Sequence, residues 1–254
     1  MLPFIEQAQL FDQINFAALD NWTGGEGDLN LALARANRPG YLLCPSAENG
    51  DIRECPTNSG PVTNPAYTAH YYGVMGVVLN PKSLASTYPM YTPTTSETAP
   101  HADRGTQGIF PGDPHKNANN PENTAAPRSV SSKDVTDGLS KTYLLGEISW
   151  AGMGSNSRSH TRSYLTGHNG TTKYFVRSAR NIYYPRPINI SRGEWAETKI
   201  QVTSDNGCNN LNWGSNHPGG THFLMADGSV SFVQESISMD VFMAAGSRNG
   251  GEVN

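Results

Sequence analysis

The chain has 254 residues, a formal net charge of −4 and no run of basic residues, so binding nucleic acid by neutralising phosphates is not expected. Hydrophobic residues make up 36% and charged residues 16%, with 26 glycines and 17 prolines; this composition excludes a helical bundle or a wholly disordered chain and favours a loop-rich, β-leaning single domain over 1–254. No stretch of these residues reads as a signal peptide, and no apolar window approaches the roughly 18–20 residues of a membrane span.

In chain order, the first predicted element is a helix over Leu2–Phe16. Pro3 suits its first turn, and Phe4, Ile5, Phe11 and Ile14 supply an apolar face expected to serve assembly by burying against other subunits. Asp28–Asn37 reads as a second helix, capped by Asp28 and stopped by Arg38-Pro39-Gly40. Tyr41–Cys44 reads as a short buried strand. Tyr67–Leu79 is aromatic and β-branched, a strand whose glycines imply a bulge or close packing. Residues 80–131 are rich in Ser, Thr, Pro and Asn, which predicts a loop-rich surface insertion with one short strand at Gly108-Ile109-Phe110. Val135-Thr136-Asp137-Gly138 leads into a strand over Thr142–Ser149, followed by a Gly/Ser loop over Ala151–Arg162. Further strands are expected at Tyr174–Val176, Ile182–Tyr184 and Trp195–Val202.

The clearest local signal closes the chain. Thr221–Ala226 is apolar, Asp227-Gly228 suits a two-residue type I′ turn, and Ser229–Val233 alternates polar and apolar. Pro218-Gly219-Gly220 breaks whatever precedes it. A last helix, capped by Ser236, runs to about Ala245 and ends at Gly246. The architecture implied is α+β, a central antiparallel sheet backed by helices.

Chemistry-bearing residues are sparse in pattern. The seven histidines include His217 and His222, but nothing has the spacing of a zinc site. The expected role of His217 is structural, fixing the loop before the hairpin through backbone hydrogen bonds, with Asp227 making an Asx contact inside its turn. Oxygen-rich loops offer candidate calcium ligands at Asp134, Asp137 and Asp205, although none follows the EF-hand pattern. Cys44 and Cys55 lie close enough in sequence for a local disulfide, and two free thiols are the other reading. Glu147, ending an apolar strand, is a candidate buried acid for which an Arg or Lys partner is expected. No nucleophile elbow or other catalytic constellation is present, so the chain is not read as an enzyme. The Thr/Ser/Pro segment Ser86–Ala99 suits O-linked glycans. Tyr71, Tyr72, Tyr183, Tyr184, Trp150, Trp195 and Trp213 are expected in the core or an interface, or else in a solute- or glycan-binding surface.

Five blocks, in order, carry a resemblance. They are Leu2-Pro3-Phe4-Ile5-Glu6-Gln7 with Leu10–Phe16; Tyr41–Ser46, ending Leu-Cys-Pro-Ser; Asp134–Glu147, containing Thr-Asp-Gly and ending Leu-Leu-Gly-Glu; His217 with Asp227-Gly228 nine intervening residues on; and Arg248–Val253, containing Gly-Gly-Glu-Val. Together they resemble the bacterial pseudopilin-like family known as domain of unknown function (DUF) 1559, whose signature is H-x(9)-D-G. The resemblance marks His217, Gly219, Gly220, Asp227 and Gly228 as the motif residues. It implies a pilin-type head and a non-enzymatic role in a filament or oligomer. It also implies a place in the cell envelope or outside the cell, and secretion or pilus assembly components as partners. Family members usually begin with a prepilin signal, a long apolar helix and a linker bearing another cysteine, all upstream of Met1-Leu2-Pro3. Membrane attachment is expected only through that helix, and Cys44 or Cys208 is expected to pair with the linker cysteine.

Overall fold

The structure is a computed structural model that describes residues 2–15, 32–33, 36–37, 39–47, 69–93, 105–111, 129–149, 179–190 and 212–251. Its centre is one six-stranded sheet: β1 (Tyr71–Leu79), β2 (Thr92–Pro93), β3 (Tyr143–Glu147), β4 (Ala179–Tyr184), β5 (Gly220–Met225) and β6 (Val230–Gln234). β4 runs parallel to one edge of β1, from Gly73↔Ala179 to Leu79↔Tyr184. The other edge of β1 takes β3 antiparallel at residues 71–73 and β2 parallel at 78–79. β5 follows β3, and β6 follows β5, both antiparallel. The expected antiparallel sheet is therefore mixed. β1 and β4 are buried along nearly their whole lengths, and the near-continuous apolar run of β1 suits a strand covered on both faces better than the alternating pattern of a half-exposed hairpin.

The glycines of β1 do what the sequence implies. The register between β1 and β4 slips at Val74/Gly76, and Gly76 sits at φ 122, a bulge that only glycine adopts easily. Residues 105–111 press against this point: Gly108 N–H donates to Met75 O at 2.9 Å and Phe110 N–H to Val74 O at 3.1 Å. The short strand expected at 108–110 is instead a series of bends that borrows two ladder bonds from β1. The part of the 80–131 insertion that is described is tied to the sheet, through the 3-10 turn Lys82–Ser86, β2 and this segment.

One face of the sheet carries the core. Phe223 is fully buried and stacks on Tyr143 with centroids 4.2 Å apart, with Trp213 at 5.4 Å and Phe242 at 5.8 Å. Phe242 belongs to the last helix, Met239–Ala245, labelled α2 below, which buries Phe242, Met243, Ala244 and Ala245. Its cap is Ser238, whose Oγ accepts from Val241 N–H, two residues beyond the expected Ser236. Ser238 alone precedes the first helical residue, which is where a hydroxyl reaches the free amides of the first turn. Gly246 ends the helix as expected.

Three other expectations are corrected. The helix over Leu2–Phe16 breaks into a 3-10 turn, Leu2–Ile5, and a five-residue α-helix, α1 (Ala8–Asp12). Glu6 between them has φ 60, which interrupts helical propagation, and so short a helix gains little from cooperativity. Consequently Leu2 and Leu10 are buried, Ile5, Phe11 and Ile14 are half-buried, and Phe4 is 89% exposed. Tyr41–Cys44 is no strand; Gly40–Leu42 forms a 3-10 turn after Pro39. The Asp227-Gly228 turn is not type I′. Gly228 N–H donates to Met225 O and Met225 N–H to Ser229 O, with only Gly228 at positive φ, 91. That is a three-residue loop in which a tight turn ends on a left-handed glycine. Gly228→Ala should therefore lower stability by about 1–2 kcal/mol, read as a fall in the urea midpoint at unchanged slope.

Of the predicted helix Asp28–Asn37, residues 32, 33, 36 and 37 are described, and Asn37 N–H donates to Leu33 O at helical spacing. The expected strands Tyr174–Val176 and Trp195–Val202 lie outside the described residues, as do Trp150 and Trp195. Tyr72, Tyr183 and Trp213 are core residues at 2% exposure each, which removes them from any ligand-binding surface.

Candidate functional site

Glu147 ends β3 beside Tyr71 of β1 and is 1% exposed. Its Oε1 accepts from Ser149 Oγ at 2.6 Å, and its Oε2 accepts from Thr221 Oγ1 at 3.4 Å and His222 N–H at 3.5 Å. The expected Arg or Lys partner is not among the described residues. Its nearest basic side chains are two histidines: His217 Nε2 lies 3.8 Å from Oε1, and His222 Nδ1 lies 3.6 Å from Oε2. The two rings meet edge to face at 4.7 Å.

Cys44 reaches the same point from the far end of the sequence. Its N–H donates to His70 Nδ1 at 2.9 Å, which fixes that nitrogen as the unprotonated one. His70 in turn links segments through its backbone, with its N–H on Leu42 O and its carbonyl accepting from Ile148 N–H. Residues 39–47 are thus docked where β1 begins and β3 ends. The buried Cys44 thiol is free; its Sγ lies 2.9 Å from Ser46 Oγ and 3.5 Å from His217 Nε2. Cys55 and Cys208 lie outside the described residues.

The loop carrying His217 is built to present it. Gly214 N–H donates to Glu147 O, and Ser149 N–H to Gly214 O, which lays the loop along the end of β3. Ser215 Oγ donates to Gly220 O and accepts from His217 N–H, closing the turn through Pro218-Gly219 with Gly219 at φ 80. Asn216 Nδ2 donates to Ser46 O, joining this loop to the Cys44 segment. The His217 side chain therefore contacts Cys44, Ser46 and Glu147 where sequence reasoning expected backbone. The Tyr71 hydroxyl completes the surroundings. Burial pushes it up to about 12, with help from the charge of Glu147 and a hydrogen bond to Cys44, so it stays protonated at any physiological pH.

Asp227 and Gly228, the other half of the H-x(9)-D-G signature, stand at the opposite end of β5. Asp227 makes the expected Asx contact, with Oδ1 accepting from Ser229 N–H at 2.9 Å and Ser229 Oγ at 2.7 Å; these bonds hold its carboxyl below the usual range. Asp227 N–H donates to Leu139 O, on the turn that follows Asp137. Asp137 accepts from Gly250 N–H at 2.7 Å and Gly251 N–H at 3.0 Å, and Asp134 accepts from Ser131 N–H and Oγ in a capping box. Two of the three candidate calcium ligands, Asp134 and Asp137, thus each make separate chain-fastening bonds, and Asp205 lies outside the described residues. Arg248 adds to this second cluster, its buried guanidinium donating to Thr106 O at 2.7 Å and Gly108 O at 2.8 Å.

The sequence blocks therefore sort into two places. Leu-Cys-Pro-Ser, Leu-Leu-Gly-Glu and His217 meet at one end of the sheet, while Thr-Asp-Gly, Asp227-Gly228 and Arg248–Gly251 fasten the other. In the first cluster, Cys44 Sγ and Glu147 Oε1 both approach Nε2 of His217. A Cys–His–acid relay needs the thiol and the carboxylate on different ring nitrogens, so that the acid orients the base. This geometry converges donors on one point and does not relay a proton.

Fold and cluster together define an α+β protein with one mixed sheet and a partly buried Cys–His–carboxylate cluster at its end. The chain belongs to the DUF1559 family, described as proteins of unknown function, whose sequence model matches residues 1–240. No curated protein and no solved structure matches it. No helix among the described residues is long and apolar enough to cross a membrane.

Proposed function

We propose that this chain is a non-enzymatic structural subunit, the pilin-like head of an envelope or surface protein, which assembles with copies of itself. The observation that carries the reading is the outer edge of β6. Its sequence, Val230-Ser231-Phe232-Val233-Gln234, has no charge and no proline, the devices that normally protect an edge strand. Val230 is 67% and Phe232 44% exposed, and Val241 of α2 is 47% exposed. Between β6 and α2 runs an open cleft of about 500 Å³ that includes Met225, Phe232, Val233, Ile237 and Val241.

The bonding pattern says which groups are available. Glu235 N–H binds Gly219 O and Met225 N–H binds Ser229 O. Alternation along an antiparallel ladder then turns the N–H groups of Ser231 and Val233 toward β5, and those of Val230, Phe232 and Gln234 outward. β4, at the opposite edge, is buried along its length, and Trp213 Nε1 already donates to Asn181 O. Head-to-tail pairing of β6 with β4 is therefore disfavoured, and β6 pairs with β6 of a second copy. Such a pairing closes at two copies, so a filament needs a second contact. The exposed Phe4 ring, with the half-buried Ile5, Phe11 and Ile14 near it in sequence, is the candidate.

The test is the size of the purified chain by sedimentation velocity across a concentration series. Wild type should dimerise or grow further as concentration rises. The variant Val230→Lys/Phe232→Lys, which places two cations on the edge without touching the core face, should remain a monomer with an unchanged circular dichroism spectrum. A wild type that stays monomeric throughout the series contradicts the reading.

A further inference from the structure

We infer that Cys44, Glu147 and His217 form a binding site for a divalent transition-metal ion of the zinc class, with a fourth position open to solvent. Among the described residues, these three bring one ligand atom each within 4.8 Å of one another. The two spacings that involve His217 are close to those of a first coordination sphere. A tetrahedral ion with Zn–S of about 2.3 Å and Zn–N of about 2.0–2.1 Å holds sulfur and nitrogen roughly 3.5 Å apart, and nitrogen and oxygen roughly 3.4 Å apart. The corresponding distances here are 3.5 Å from Cys44 Sγ to His217 Nε2 and 3.8 Å from His217 Nε2 to Glu147 Oε1.

The chemistry of the set agrees. A soft thiolate, a borderline imidazole and a single hard carboxylate make a mixed donor set that suits zinc or cobalt and is wrong for calcium or magnesium, which take oxygen ligands throughout. The carboxylate also lacks its usual compensation: Glu147 is 1% exposed and meets no Lys or Arg among the described residues. A buried carboxylate without a cation is costly, and a bound dication supplies the missing charge. The surroundings resemble the supporting layer of a metal site. Ser149 and Thr221 hydroxyls hold both oxygens of Glu147, His222 braces its Oε2, and His70 fixes the Cys44 backbone. Glu147 and Cys44 are buried, whereas the His217 side chain is 31% exposed, so the ion would enter past His217 and keep a water there. Binding would clamp three segments distant in sequence: residues 39–47, the end of β3 and the loop 212–220.

The test uses cobalt(II) as a spectroscopic probe on the full, reduced chain. Wild type should take up one equivalent with a thiolate-to-cobalt charge-transfer band and intense tetrahedral d–d bands, and zinc should displace it. Cys44→Ser should lose the charge-transfer band. His217→Gln, at a partly exposed position where folding is safe, should bind at least about 100-fold more weakly and lose the rise in thermal midpoint that cobalt gives wild type. Three results would each overturn the assignment: no cobalt uptake by wild type, equal affinity in His217→Gln, or a charge-transfer band that survives Cys44→Ser because another thiol supplies it.

Discussion

Phe223→Ala should lower the unfolding free energy by about 3–5 kcal/mol, the range for removing a buried phenylalanine ring from a packed core. Phe223 sits at the centre of the sheet's buried face, fully enclosed. Its ring touches Tyr143 of β3, Trp213 of the loop before β5, and Phe242 of α2. Those contacts are what join the hairpin, the neighbouring strand and the last helix. Deleting the ring leaves a void walled by three aromatic groups that cannot all collapse into it. Against the 5–15 kcal/mol typical of a whole domain, such a loss is large. Urea unfolding should show the midpoint falling with the slope preserved. A loss below about 1 kcal/mol would mean that the aromatic cluster does not hold the fold together.

Arg248→Leu should cost roughly 2–4 kcal/mol, for a different reason. Arg248 is 3% exposed; its guanidinium donates to Thr106 O and Gly108 O, while its backbone N–H donates to Gln107 O. Leucine fills much of the space but leaves carbonyls without donors, and an unsatisfied buried polar group costs about 1–3 kcal/mol. The damage should also be local. Residues 105–111 are held to β1 by Gly108 and Phe110 amides, so these two amides should exchange faster in the variant than those of β5. Uniform acceleration would place the role of Arg248 in global stability alone.

How far the sequence spoke depended on whether a feature is local. The closing hairpin was legible because Asp-Gly stands between an apolar run and an alternating one, and β1 because its aromatic and β-branched residues run nearly unbroken. The turn type was not legible: whether Asp227 or Gly228 alone takes positive φ depends on which carbonyl of β5 closes the loop. Glu6 defeated the N-terminal helix, since a residue with good helical propensity gives no sign that it will adopt φ 60. The Cys–Glu–His cluster left no spacing to find. Cys44 and His217 are 173 positions apart, and Glu147 reads as the polar end of an apolar strand. Each lies in a block that could be recognised, but their meeting is a product of the sheet order β1-β3-β5, which places the starts and ends of three strands side by side. The apolar edge of β6 was visible as residues and invisible as an edge, because nothing in the sequence says that no strand among the described residues pairs with its outer side.

The most direct measurement of the assembly claim is amide hydrogen exchange along β6 as a function of protein concentration. The outward amides of Val230, Phe232 and Gln234 should become protected as concentration rises, while those of Ser231 and Val233, already bonded to β5, change little. Exchange of Val230, Phe232 and Gln234 at one rate from dilute to concentrated protein would contradict pairing through this edge.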